Sequence, residues 1–198
     1  MPPTRRQVAL SILANAFVSP FLTLDAIGQG LPEALALTPS CTDDDEDLTP
    51  PQTEGPYFTA NSPSKQDLSG DGTGGDLLMI GGMVVDATCQ PIAGAMLELW
   101  HADAGGIYDN EGYRYRGHGF SDEQGRWWFA TIVPGLYPGR TRHYHIKVQR
   151  PGGQTLTTQL YFPSEQQNSQ DRLFSPDLLL RFEQSGSDRF GLFNFILA

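Results

Sequence analysis

Apolar residues in this chain fall in short runs broken by Gly, Pro, Asp and Asn, the spacing of strands and turns rather than of helices. Leu77-Leu-Met-Ile-Gly-Gly-Met-Val-Val85 predicts a first core strand, with its paired glycines marking a bulge or bend. Ala95-Met-Leu-Glu-Leu-Trp-His101 alternates about Glu98 and predicts a second, entered through the turn Asp86–Pro91. Asp122-Glu-Gln-Gly125 makes a tight turn into a third strand over Trp127–Ile132. Thr141–Val148 and Thr155–Phe162 read as two more, the last entered from Pro151-Gly152-Gly153. Between them lie a long loop from Ala102 to Gly119 and a shorter one from Pro134 to Gly139. Leu173–Arg181 allows a short helical turn. No long amphipathic helix and no internal repeat is visible. The pattern predicts an all-β domain, a β-sandwich of mainly antiparallel strands over 77–198.

Two segments precede that domain. Residues 1–36 carry Arg5-Arg6, an apolar stretch from Val8 to Leu24, and the small-x-small site Ala34-Leu35-Ala36. This predicts an export signal of the twin-arginine kind and a periplasmic or extracellular protein. Asn15 and Pro20 interrupt the stretch and argue against a spanning helix, so no membrane contact is expected of the mature form. Residues 37–76 are acidic and rich in Pro, Thr and Ser, which predicts an extended arm. Its run Asp43-Asp-Asp-Glu-Asp47 lacks the Gly and distal Glu of a calcium loop and reads as a solvated segment.

Composition narrows the class. A chain of 198 residues suits one domain with a proper core, and 22 Gly with 15 Pro suit many turns. A net charge of −10 argues against nucleic acid or an anionic membrane as partner. The two cysteines, Cys41 and Cys89, lack zinc-site spacing and read as structural, able to form a disulfide in an oxidising compartment.

The candidate chemistry lies in His143-Tyr144-His145. Residues two apart on a strand share a face, so both imidazoles point the same way and form half of a metal site. The other half is open on these grounds. A distant carboxylate would give the two-His-one-carboxylate iron(II) set. Tyr108, in Gly105-Gly-Ile-Tyr108, and Tyr137, in Pro134-Gly-Leu-Tyr-Pro138, are the alternative, held on bent loops by Gly and Pro. A loop tyrosine taken singly is most often a packing residue. Two phenolates with two imidazoles would favour iron(III), since a phenol with a pKa near about 10 ionises best against a hard trivalent cation.

These segments resemble the intradiol ring-cleavage dioxygenases. The match runs through Gln52-Thr-Glu-Gly-Pro-Tyr57, Pro91 to Tyr108, Gly119 to Gly125, Phe129 to Pro138, the Arg-x-x-His-x-His segment Arg140–His145, and Thr157 to Phe162. The chain is expected to lack the helical dimerisation segment of the catechol and hydroxyquinol enzymes and resembles more the single-domain protocatechuate type or exported relatives of unsettled substrate. The resemblance implies a non-haem iron(III) held by Tyr108, Tyr137, His143 and His145. Tyr137 would be the ligand that leaves when a catechol chelates as a dianion. Arg140 would stabilise developing charge, and Gln159 would stand beside the substrate. The implied reaction takes a small aromatic diol and O2 and opens the ring between its hydroxylated carbons to a muconate-type diacid. A homo-oligomer is in keeping with the family. The rival from another class is an exported, non-catalytic β-sandwich binding module.

His101 is expected to be structural, and His118 carries no role. Tyr57 either lines the substrate mouth or packs. Arg142 should meet a salt bridge or solvent. Of Trp127 and Trp128 only one can face the core. Tyr113, Arg114 and Tyr115 crowd the loop after Tyr108, where each is a candidate for substrate recognition.

Overall fold

A computed structural model describes residues 48–186 and 188–198. Among these, nine strands pair into two sheets. The first holds β1 (Leu77–Asp86), β4 (Arg126–Ile132), β7 (Arg181–Ser185) and β8 (Asp188–Leu192) in the order β4-β1-β8-β7, with β9 (Phe195–Leu197) also on β1. The second holds β2 (Met96–Trp100), β3 (Arg116–Phe120), β5 (His143–Gln149) and β6 (Thr155–Tyr161) in the order β3-β2-β5-β6. The expected all-β sandwich is the observed fold, and most pairings are antiparallel. The exceptions are β8 and β9, which run parallel to β1.

Alternation along the strands fills the space between the sheets. Leu78, Ile80 and Val84 of β1 and Trp127 and Phe129 of β4 meet Leu97 and Leu99 of β2 and Tyr144, Ile146 and Val148 of β5. The Tyr144 hydroxyl crosses the layer to donate to the Ile132 carbonyl at 2.8 Å, which satisfies the one polar atom that this side chain buries. Trp127 is buried and Trp128 half-exposed, as period two requires.

The expected strands β1, β2, β4, β5 and β6 stand within a residue or two of their sequence bounds. Three features differ. The long loop from Ala102 contains β3, whose sequence Arg-Gly-His-Gly-Phe has no apolar alternation. Its glycines have a tertiary cause: Gly117 lies against the Lys65 carbonyl and Gly119 against the Gln66 side chain, where a Cβ would clash. Strands β7 to β9 are not among the expected ones: β7 and the turn after it are polar, β8 and β9 are short and largely apolar, and their long-range pairing with β1 leaves no local signature. At Gly82 the chain between β8 and β9 swings in, Phe193 N–H donating to Gly81 O at 2.9 Å and Asn194 Oδ1 accepting from Met83 N–H at 2.8 Å. A side chain at Gly82 would strike the Phe193 carbonyl, which explains this glycine inside a core strand. The helical turn near Leu173 is a short 3-10 turn, Pro176–Leu178.

The stretch from Thr49 to Asp76 forms no strand, yet it is fixed to the sandwich. His118 N–H donates to Pro63 O at 3.0 Å and Lys65 N–H to His118 O at 3.0 Å, along the free edge of β3. Leu68 N–H donates to Ala130 O at 2.7 Å and Ala130 N–H to Gln66 O at 3.0 Å, along the free edge of β4. The segment thus covers one exposed edge of each sheet and buries Leu68 between them. Cys89 is disulfide-bonded. The export signal, the acidic run and Cys41 lie outside the described residues.

Candidate metal centre

His143 and His145 alternate with Tyr144, Ile146 and Val148, so the imidazoles face away from the sandwich core. On that outer face His145 stands opposite Trp100 of β2 and Gln159 of β6, and His143 stands opposite Tyr161. Loops then roof the face. Tyr108 arrives from the β2–β3 connection and Tyr137 from the β4–β5 connection. The two loops are stitched together by Gly135 N–H, which donates to Asp103 O at 2.8 Å. Their backbones touch where Gly106, at φ +81°, meets the Leu136 carbonyl, and a Cβ at Gly106 would break that contact. The Asp103 carboxylate shapes the turn by accepting from Gly105 N–H at 2.9 Å and Ile107 N–H at 3.0 Å. A third cover comes from residues 53–58. Gly55 lies against the His145 ring, Tyr57 stacks on Tyr108 at 4.6 Å, and Phe58 packs edge-on to Trp100 at 4.9 Å.

The four candidate ligands come together. His143 Nε2 lies 3.2 Å from His145 Nε2 and 3.3 Å from the Tyr108 hydroxyl. The Tyr108 and Tyr137 rings are 5.9 Å apart, and the Tyr137 hydroxyl is 2.7 Å from that of Tyr57. Tyr108, His143 and His145 are buried, and Tyr137 is half-buried.

Local contacts set the protonation state. Burial holds His143 at a pKa of about 4 and His145 well below its ordinary value, so both rings are neutral near pH 7. His143 Nδ1–H donates to Thr141 O at 2.6 Å, which leaves the lone pair on Nε2, inside the cluster. His145 Nδ1 has no hydrogen-bond partner, and its ring is instead oriented by stacking on Trp100 at 5.0 Å and 9°. With the His143 proton on Nδ1, His145 Nε2–H donates to His143 Nε2 across 3.2 Å, and a cation taking that proton's place would meet a lone pair from each ring. Burial also pushes the Tyr108 phenol well above its usual range. It is neutral by itself and needs a strong positive centre to ionise. Two such imidazoles and two phenol oxygens fit a hard, highly charged cation. Among the described residues no group of three or more His, Cys, Asp and Glu exists, so the two-His-one-carboxylate alternative finds no third ligand of its type.

Arg140 and Gln159 border the same cluster. Arg140 Nε donates to Asp171 at 2.8 Å and Nη2 to Gln159 Oε1 at 2.6 Å, while Gln159 Nε2 donates to Thr53 O at 3.0 Å. Asp171 also accepts from Thr141 N–H at 2.9 Å, so one carboxylate fixes both Arg140 and the peptide that orients His143. Burial works against the Asp171 charge, but N–H donors from Leu173 and Thr141, together with Arg140, hold its pKa below the usual carboxylate range. Beside them opens a cleft of about 380 Å³ lined by Tyr137, Arg140, Thr141, Asp171, Gln167 and Gln170, with Leu136 at its edge.

Sequence reasoning passed over Asp171 and Tyr161. Asp171 sits in an irregular stretch with no periodic signal. Tyr161 was within reach, because it lies two residues from Gln159 on β6 and so shares the site's face. Its hydroxyl, pushed up to about 12 mainly by burial, sits between Gln52, Gln159 and Leu173 O. Tyr57 joins the site through Tyr137. Arg142 pairs with Glu165 at 2.6 Å and His118 meets Ser62 O at 2.9 Å. The candidates after Tyr108 turn elsewhere. Tyr115 is buried in the core, Arg114 pairs with Asp109 at 3.3 Å, and Tyr113 donates to Ala60 O at 3.0 Å.

The family model described as Dioxygenase matches residues 53–185. The chain belongs to the intradiol dioxygenase family. Among family members it is similar to a 6-chlorohydroxyquinol 1,2-dioxygenase of Cupriavidus pinatubonensis, 31% identical over 65% of this chain and 56% of that protein. A catechol 1,2-dioxygenase of Acinetobacter baylyi is 27% identical over 58% of this chain and 46% of its own length. The chain spans about half the length of the curated relatives it matches. Among solved family structures, the dioxygenase domain of a dioxygenase–carbohydrate-binding fusion from Streptomyces sp. SirexAA-E is 49% identical, with a TM-score of 0.73 over 76% of this chain and 98% of that one. The 3-chlorocatechol 1,2-dioxygenase of Rhodococcus opacus is 29% identical, with a TM-score of 0.68 over 75% and 71%.

His101 is a structural histidine, buried with Nδ1–H donating to Ala102 O and Nε2 accepting from Thr131, each at 2.7 Å. Burial lowers its pKa to about 4. Since the unfolded chain binds that proton below about pH 6.5, the native state loses stability as pH falls from there toward 4. His101→Gln is expected to flatten urea-measured stability against pH by on the order of 3 kcal/mol between pH 7 and 4. An unchanged slope would refute the assignment.

Proposed function

We propose that the protein is a non-haem iron(III) dioxygenase that cleaves a catechol-type ring between its two hydroxylated carbons, giving a muconate-type diacid. The observation that carries this is the convergence of Tyr108, Tyr137, His143 and His145 on one buried face, beside a cleft that holds Arg140. These four residues would hold the ion, with Tyr108, His143 and His145 as lasting ligands and Tyr137 as the exchangeable one. Ferric iron held there would supply a Lewis acid that draws electron density from a bound diol.

The residues of the chain do the rest. Tyr137 is the more exposed phenol and borders the cleft, so it would be the ligand free to exchange, and its oxygen stands where it could take a catechol proton as the diol enters. Tyr57 is already in hydrogen-bond contact with that oxygen at 2.7 Å and receives the displaced phenol without a buried, unpaired hydroxyl. Tyr108, buried and stacked under Tyr57, has no such exit. Arg140 is fixed on two sides by Asp171 and Gln159, so its charge stands ready before the ring oxygens gain negative charge. Trp100 and the Gly55 segment keep water from the far side of His145.

The test is oxygen uptake by ferric-loaded protein over a panel of catechols, with and without ring carboxylates, using isotopically labelled O2. Red-brown protein, one O2 consumed per diol and both labelled atoms in a ring-opened diacid are expected. Arg140→Gln should lower kcat about 100-fold or more. A colourless protein, free of iron and inert toward every diol, would instead support the non-catalytic binding module.

We also propose export by the twin-arginine route, on Arg5-Arg6 and the apolar stretch that follows. The disulfide at Cys89 accords with an oxidising compartment. Replacing Arg5 and Arg6 by Lys should leave the protein in the cytoplasm on cell fractionation, and undiminished export would overturn the route.

A further inference from the structure

Arg116 is the unexplained charge of this site. It is 1% exposed, on β3. The cross-strand register sets Arg116 opposite Trp100, Trp100 opposite His145, and His145 opposite Gln159, so a single row across the second sheet links this guanidinium to the candidate ligands. Its Nε and Nη2 both donate to the Asp109 carbonyl, at 3.0 and 2.7 Å. That carbonyl belongs to the residue directly after Tyr108. Nη1 is buried with no partner at all.

A buried guanidinium normally pairs with a carboxylate, because an uncompensated charge in the interior is costly. The other cations around this face are paired: Arg140 with Asp171 at 2.8 Å, Lys147 with Glu54 at 2.5 Å, and Arg114 with Asp109 at 3.3 Å. Arg116 makes no ion pair among the described residues. The Asp109 carboxylate, the nearest in sequence to the carbonyl it grips, is taken up by Arg114 and by the backbone N–H groups of Glu111, Gly112 and Arg114. Glu98 shares the outer face but stands in register with Lys147 and His118.

We propose that Arg116 is a positioning residue of the metal centre: its fork fixes the peptide after Tyr108 so that the phenol points at His143, and its unpaired charge is the counter-charge for Tyr108 as an anionic ligand. The inference rests on the reading of Tyr108 as a ligand. It adds that the ligand's charge is balanced from behind by a residue that touches neither ion nor substrate. A fixed positive charge beside a ferric centre favours the ferrous state, so Arg116 raises the reduction potential of bound iron. Its grip on the peptide also tightens binding of the ion.

The test compares wild-type protein with Arg116→Met and Arg116→Lys, each loaded with ferric iron and checked for fold by circular dichroism. Arg116→Met removes fork and charge. It should lower the iron midpoint potential, shift the visible charge-transfer band, and weaken iron retention against a chelator by about 10–100-fold, the usual effect of losing an outer partner of a metal ligand. Arg116→Lys keeps the charge without the fork. It should lose iron faster than wild type while holding a potential near the wild-type value. A folded Arg116→Met with wild-type potential, band and retention overturns the proposal. If Arg116→Met does not fold, Arg116→Lys decides: a potential lowered well below wild type, or wild-type iron retention, overturns it. A wild-type protein that takes up no ferric iron overturns the metal reading itself, whereas iron-loaded wild type with unresponsive Arg116 variants overturns only this inference.

Discussion

The register of β5 between β2 and β6 is the constraint on which the site depends. One face of this strand sends Tyr144, Ile146 and Val148 into the core, and the other carries His143 and His145. A slip of one residue would exchange the faces, burying imidazoles between the sheets and putting three apolar side chains under the loops. The hydrophobic face therefore holds the chemical face in place. Core burial also fixes Trp100 against His145 and Gln159 beside it, since each stands directly across the ladder. What the strand cannot supply, the loops do. Their glycines allow the backbones carrying Tyr108 and Tyr137 to touch, and this contact brings two phenols from distant segments over one pair of rings.

Electrostatics make that gathering purposeful. Burial raises the Tyr108 phenol and lowers both histidines, so all three are neutral where they meet. Neutral imidazoles offer lone pairs at once, whereas the phenol must lose a proton to bind. A site of this kind discriminates by charge, because only a strongly polarising cation offsets the cost of a buried phenolate. The permanent charges lie one layer out, on Arg140 with its Asp171 partner and on Arg116 with none. The cluster is thus set in surroundings already polarised toward anionic ligands.

Much of this was legible in the sequence. The β5 alternation and the two Gly-flanked tyrosines follow from local chemistry, because period two and left-handed glycine conformations act within a few residues. Strand β3 was not legible, because its glycines answer to the crossing segment at Lys65 and Gln66 and not to their neighbours in sequence. Asp171 was hidden for a similar reason. Its roles toward Arg140 and Thr141 exist only when two separate loops meet. Tyr57 lay between: the motif around it was visible, but its contact with Tyr137 is a product of the fold. The histidine pair could be read from local signals and the two tyrosines only as one alternative, which the family resemblance filled, while the residues that hold them come mostly from long-range contacts.

The central claim is that two phenol oxygens and two imidazole nitrogens, brought together by β5 and two stitched loops, hold one ferric ion. Diffraction at the iron absorption edge from crystals of ferric-loaded protein tests it most directly. The account predicts a single anomalous peak per chain, within bonding distance of Tyr108, Tyr137, His143 and His145. A peak elsewhere, or an ion bound by the histidines with both tyrosine oxygens turned away, would contradict it.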